Sequence, residues 1–126
     1  MDLYCWVMVL ARFAGIRPAA VLPCSAAAEV AAALAQARKN RQPVAVRGGG
    51  HCFAGRSSTT GVVLDVRPMT GVRVDGDRAV IGAGTRLAEV YDALAAHGRT
   101  IPAGCGPTTG GGLWGGSAVM TAMPRS

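Results

Sequence analysis

Lysine occurs once in this chain, at Lys39, and the arginines behind most of its +6 net charge stand singly. No basic run forms and no aromatic platform interleaves with one, so the charge lacks the footprint of a nucleic-acid surface. Aromatic residues are 5% of the 126, and much of the apolar half is alanine, which implies one domain at most with a thin core. Histidine occurs twice, and the four cysteines (Cys5, Cys24, Cys52 and Cys105) form no C-x-x-C pair. Zinc sites use closely spaced ligand pairs, so no metal site is expected. Nor do these cysteines, in an alanine- and valine-rich sequence, read as an extracellular disulfide framework. The apolar stretch Met1 to Leu10 is too short to span a membrane and carries Asp2 with no positive n-region. Neither a membrane anchor nor a secretory leader is expected, and the location reads as cytoplasmic. No Gly-Lys-Ser/Thr exists, which excludes a P-loop, and no internal repeat is evident.

Glycine is abundant. Its 18 residues crowd into 48–50 and 104–116 without a G-X-Y period, a pattern of ligand-contacting loops more than of collagen or generic disorder. Residues 1–16 show no clean period. From Arg17 the order is regular: a short strand at Ala19 to Leu22 ended by Pro23, then Ser25 as N-cap of a helix over 26–39. Val30, Ala33, Leu34 and Ala37 would form the core-facing stripe of that helix. A strand over Pro43 to Val46 feeds the first glycine cluster, and Gly61 to Val66 is a third strand. Val72 to Asp75 and Arg78 to Ile81 flank Gly76-Asp77 as a hairpin. A second helix, from Thr85 to His97, carries the stripe Leu87, Val90, Tyr91, Leu94 and Ala95, with Gly98 at C′. His97 reads as a residue suited to the negative end of the helix dipole. From Ile101 onward the chain reads as loop. The fold class is α+β, with strands outnumbering helices.

Three glycine motifs compete. Gly110 to Gly115 matches G-x-G-x-x-G, but a Rossmann fingerprint needs an acid about 20 residues further on, beyond the end of the chain. Gly82-Ala83-Gly84 stands between a strand and a helix, yet Leu87 replaces the third glycine, and a tight turn is the better reading. The third is Arg47-Gly48-Gly49-Gly50-His51, delivered by a strand. Glycines admit positive φ and close approach, successive N–H groups form an anion-binding concavity, and Arg47 adds a permanent cation. That chemistry suits a pyrophosphate, although the loop by itself reads equally as a turn with a satisfied histidine.

The order strand, Arg-Gly-Gly-Gly-His, x-Phe-Ala-Gly-x-Ser, Leu-Asp strand, hairpin, Gly-Ala-Gly, helix, His-Gly, Ile-Pro-Ala-Gly-Cys-Gly-Pro-Thr resembles one family. It is similar to the N-terminal part of an FAD-binding domain of the PCMH (vanillyl-alcohol oxidase) type, in its berberine-bridge-enzyme-like branch. The resemblance runs over 17–116, leaving 1–16 as a lead-in and 117–126 as an unmatched tail. It implies the first α+β subdomain, a small sheet with two flanking helices, of a fold in which FAD lies extended between two subdomains. It implies cofactor contacts from Arg47, Gly48, Gly49, Gly50, His51, Gly55, Ser57, Gly104, Cys105, Thr108 and Gly110. The histidine at the position of His51 bonds to the flavin 8α-methyl carbon, and 104–108 lies against the isoalloxazine ring and pyrophosphate. The reaction implied is hydride transfer from an alcohol, sugar or alkaloid-like carbon to FAD, with oxygen as reoxidant. In some members a cysteine directly before the proline of a Pro-Thr pair makes a second flavin bond. Here Gly106 precedes Pro107, so single attachment is expected. Arg47 beside His51 would disfavour the imidazolium and so keep the ring nucleophilic.

Two departures from that family pattern bear on activity. The glycine run after Thr108 is several residues shorter than in the family. The sequence stops at Ser126, before any second subdomain, substrate domain or catalytic base. The expectation is therefore a fragment or truncated product with no catalytic residue of its own, inactive alone, taking a small-molecule substrate only with the missing part supplied. Alternatives are a non-catalytic remnant that binds FAD weakly or not at all, and a nucleotide module unrelated to flavin.

Overall fold

Three parallel strands and two antiparallel pairs carry the two helices in this computed structural model, which describes residues 13–50, 55–101 and 123–124. Strands β1 (Ala20–Pro23), β2 (Val44–Arg47) and β3 (Val62–Asp65) form a parallel sheet in the order β1-β3-β2. The crossover from β1 to β2 is helix α1 (Ala27–Lys39), and parallel neighbours require such a connection. Ala20 stands opposite Val62 on one side of β3, and Val44 opposite it on the other. Strand side chains alternate between faces. One face, Val44, Val46, Val62 and Leu64, packs with Cys24 against Val30, Ala33 and Leu34 of α1. Ala37 of the expected stripe is buried as well. Ala45, Arg47, Val63 and Asp65 occupy the opposite face, and all four are buried.

The expected N-cap at Ser25 is not observed: Ala26 holds the cap position, in extended conformation and without a side-chain bond. Ser25 acts one residue earlier, donating its N–H (2.6 Å) and hydroxyl (3.0 Å) to the Glu29 carboxylate. The acid in the first turn thus captures the serine, and the serine leaves the helix N–H groups alone.

The second unit is the hairpin of β4 (Val72–Asp75) and β5 (Arg78–Ile81), whose turn places Gly76 at φ 59°. Helix α2 (Leu87–Ala95) buries Val90 and Leu94 with Ile101 against Val72, Val74, Ala79 and Ile81. It spans the expected stripe and is shorter at both ends than the expected range Thr85 to His97. Gly98 adopts φ 66° two residues beyond the C-cap Ala96, and the exposed His97 ring bonds the Ala93 carbonyl at 3.0 Å. Gly82-Ala83-Gly84 is the tight turn expected. The Gly84 N–H reaches the Met69 carbonyl at 2.8 Å, and a Cβ at Gly82 or Gly84 would overlap the Met69 or Val66 carbonyl. Buried Thr85 ties this turn to the start of β4, its hydroxyl accepting from Gly71 N–H (3.1 Å) and donating to Gly71 C=O (3.2 Å). The sequence beyond Ile101 predicts only loop, whereas β6 (Arg99–Thr100) pairs antiparallel with β7 (Met123–Pro124).

Candidate functional site

The C-terminal end of β2 places a cation inside the protein. Arg47 is 4% exposed, and a buried guanidinium is stable only when its donors are taken up. Its Nε donates to the Ser57 carbonyl at 2.9 Å and its Nη2 to Ser58 Oγ at 3.4 Å. Asp65, opposite Arg47 in the register, is 5% exposed and held by Arg67. There Nε lies 2.9 and 3.0 Å from the two carboxylate oxygens, and Nη2 lies 2.6 Å from one of them. Asp65 also accepts from the Arg67 N–H at 3.0 Å. The end of the sheet thus carries charge of both signs in a largely dehydrated setting, where such hydrogen bonds are strong.

Gly48, Gly49 and Gly50 leave β2 directly after Arg47. Gly48 and Gly50 are buried, and Gly50 has φ 75°, the left-handed conformation that glycine takes without strain. No carbonyl of a described residue accepts from the N–H groups of these three glycines. Gly55, at φ 73°, opens a turn closed by the Ser58 N–H on the Gly55 carbonyl at 3.1 Å, with Ser57 buried inside it. Arg47 clamps this turn, so the loop that begins at Gly48 is fixed at both of its ends. Three N–H donors on small residues, with no carbonyl acceptor among the described residues and beside a buried cation, suit an oxyanion.

Of the residues expected at the site, the structure joins Arg47 to Ser57, with Gly48, Gly49 and Gly50 following Arg47 in the chain and Gly55 opening the turn that holds Ser57. His51, Gly104, Cys105, Thr108 and Gly110 lie outside the described residues. Arg47 meets the 55–58 turn through its described bonds, a structural duty added to the anion-facing one that the sequence suggests. Ser58 was not legible as a partner, because a side-chain bond across eleven residues leaves no local pattern. Among the described residues no helix is long and apolar enough to cross a membrane.

A family model described as FAD binding domain matches residues 18–123. An FAD-linked oxidoreductase of Bacillus subtilis (strain 168) is 37% identical over 106 residues, covering 76% of this chain and 24% of that protein. Aclacinomycin-N/aclacinomycin-A oxidase of Streptomyces galilaeus is 42% identical over 106 residues, covering 80% of this chain and 19% of the relative. The structure resembles 6-hydroxy-D-nicotine oxidase from Arthrobacter nicotinovorans with a TM-score of 0.65 and 32% identity, over 71% of this chain and 20% of that one. It resembles a berberine bridge enzyme variant with a TM-score of 0.71 at 22% identity, over 81% and 23% of the two chains, a likeness of fold alone. The chain spans a quarter or less of the length of these relatives.

Proposed function

The chain belongs to the FAD binding domain family, and from that premise we propose that its glycine loop takes the pyrophosphate of FAD, with His51 as the covalent tether of the flavin. One observation carries the reading: the N–H groups of Gly48, Gly49 and Gly50 leave a buried strand end with no carbonyl acceptor among the described residues. Buried N–H groups are almost always paired. Diphosphate oxygens supply the acceptor, and the absence of Cβ atoms lets them close in.

Each residue then has a distinct duty. The glycine N–H groups bind the diphosphate. Arg47 holds the far side of the loop through Ser57 and Ser58 and contributes positive potential to the cradle. Gly55 and Ser57 shape the turn that it holds. His51 follows Gly50 directly and would bond through a neutral imidazole nitrogen, the form with a free lone pair, to the flavin 8α-methyl carbon. The methyl C–H and imidazole N–H protons would be released, the electron pair would pass to the flavin, and oxygen would reoxidise it. Gly104, Cys105, Thr108 and Gly110 are assigned by resemblance to the flavin ring and pyrophosphate. Gly106 in the place directly before Pro107 supports a single attachment. Bound FAD supplies a two-electron acceptor for hydride from an alcohol, sugar or alkaloid-like carbon. The identities shared with two named oxidases, of aclacinomycin and of 6-hydroxy-D-nicotine, support an oxidase reaction in the whole protein. Residues 17–116 form the flavin-binding unit, and the cytoplasm is the location.

Flavin fluorescence on a denaturing gel tests the assignment. Fluorescence is expected to travel with the wild-type polypeptide and to be absent from His51→Ala. Fluorescence surviving in His51→Ala removes the tether, and purified wild-type protein that takes up no FAD removes the reading of the loop.

A further inference from the structure

We propose that Phe13, from the segment before β1, is a positioning residue that pre-forms the glycine loop for its ligand. The proposal rests on the reading of that loop as the FAD pyrophosphate site. Phe13 lies in a stretch without sequence period, but the backbone leads it back to the loop. The Ala19 N–H bonds the Thr60 and Gly61 carbonyls at 3.0 and 2.8 Å, and the Ile16 N–H bonds the Phe13 carbonyl at 3.0 Å. The segment 13–19 is thereby stitched to the residues that lead into β3.

The ring then covers Gly55. A Cβ built there would lie 2.5, 2.7 and 2.8 Å from Cε1, Cδ1 and Cζ of Phe13, so the ring occupies the space of a side chain at position 55. Gly55 is left-handed at φ 73° and has the backbone with most freedom to lose. The turn that it opens is a single hydrogen-bonded unit from the Gly55 carbonyl to the Ser58 N–H. Arg47 grips that unit at Ser57, and Phe13 braces it at Gly55. Two contacts from opposite ends of the turn fix its place, whereas one alone leaves it a pivot.

Among the described residues, Phe13 packs in neither hydrophobic cluster, the α1 face of the sheet or the α2–hairpin core. The contact with Gly55 ties Phe13 to the turn, and its removal is expected to loosen the loop more than the sheet. A loop that must order on binding charges that entropy against affinity, and a pre-formed one does not. Phe13 thus acts through Gly55 and the turn, with no contact to the ligand required of it.

Hydrogen exchange read by mass spectrometry on the purified full chain tests this without cofactor. Phe13→Ala is expected to speed exchange over 48–50 and 55–58 by about tenfold while the β1–β3 amides keep their rates. Phe13→Tyr restores wild-type rates and Phe13→Leu falls between, which also covers the case in which Phe13→Ala does not fold. A parallel measurement follows the rate at which FAD added to the apoprotein becomes attached, expected to drop about tenfold in Phe13→Ala with no change in Phe13→Tyr. Unchanged loop exchange overturns the inference whatever FAD does, and so does equal acceleration across the sheet, which marks a merely structural residue. Faster loop exchange in a chain that takes up no FAD instead defeats the FAD reading and leaves the bracing role intact.

Discussion

The Nε of Arg47 donates to the carbonyl of Ser57 at 2.9 Å, ten residues further along the chain. This bond closes the base of the glycine loop from inside the protein. Replacement by methionine keeps much of the apolar stem but leaves a buried carbonyl without its donor. Hydrogen bonds to charged groups contribute about 1.5–3 kcal/mol, and Arg47→Met is expected to lose stability in that range by urea unfolding. FAD attachment should fall with it. Arg47→Lys keeps the charge without the fork that reaches both Ser57 and Ser58, so it should fall between methionine and wild type. Unfolding midpoints for Arg47→Met equal to wild type would show that the clamp contributes nothing.

Two glycines separate close approach from backbone conformation. A Cβ at Gly84 would overlap the Val66 carbonyl, whereas at Gly76 it meets nothing within 4 Å and faces only a left-handed φ of 59°. Gly76→Ala is expected to cost about 1–2 kcal/mol, the penalty of the left-handed conformation. Gly84→Ala must push the 66–67 backbone away and is expected to cost about 3 kcal/mol or more, since overpacking that shifts backbone reaches that size. Chemical denaturation of both variants checks the order, and equal costs would remove the close-packing account.

These cases show where sequence and structure part. The hairpin was legible to the residue because Gly76-Asp77 interrupts two short runs rich in valine and isoleucine, all of it local. The α1 stripe was legible because Val30, Ala33 and Leu34 repeat at helical spacing and do pack on Val62 and Leu64. The loop at Gly48 to Gly50 was legible because glycine there has a conformational reason, seen in the φ of Gly50. The bracing of Gly55 by Phe13 and the pairing of Thr100 with Met123 were not. Each joins residues more than twenty positions apart, and neither partner carries a periodic signal. Ser25 departs from the N-cap role its sequence position suggests because it bonds Glu29 and not the helix N–H groups.

Cys24 offers a test of the α1 core. Its thiol is 1% exposed between the sheet and α1, and burial raises its pKa, with the negative charges of Glu29 and Asp65 adding to the effect. A thiol held in its neutral form and screened from solvent is a poor nucleophile. Peptide mapping after iodoacetamide treatment at neutral pH should leave Cys24 unmodified in the native protein and modify it fully in denaturant. Rapid native alkylation at Cys24 would mean that α1 leaves the sheet readily.

The Ser25–Glu29 pair predicts a pH dependence. The Ser25 N–H, and then its hydroxyl, hold the Glu29 carboxyl below the usual carboxylate range. The folded pKa therefore lies below the unfolded one. Its contribution is present at pH values above the unfolded pKa and is lost as pH falls through the folded one. Glu29→Gln keeps an acceptor but not the charge, so it should melt below wild type at neutral pH. The gap should close as the pH falls below the ordinary carboxylate range, where the wild-type carboxyl also becomes neutral. Thermal melts of the two proteins across that range measure it. The carboxylate is exposed, so the gap should be small and should shrink with added salt. A gap that stays constant down to the acid end would assign the loss in Glu29→Gln to packing and remove the charge-assisted bond from the account of how α1 begins.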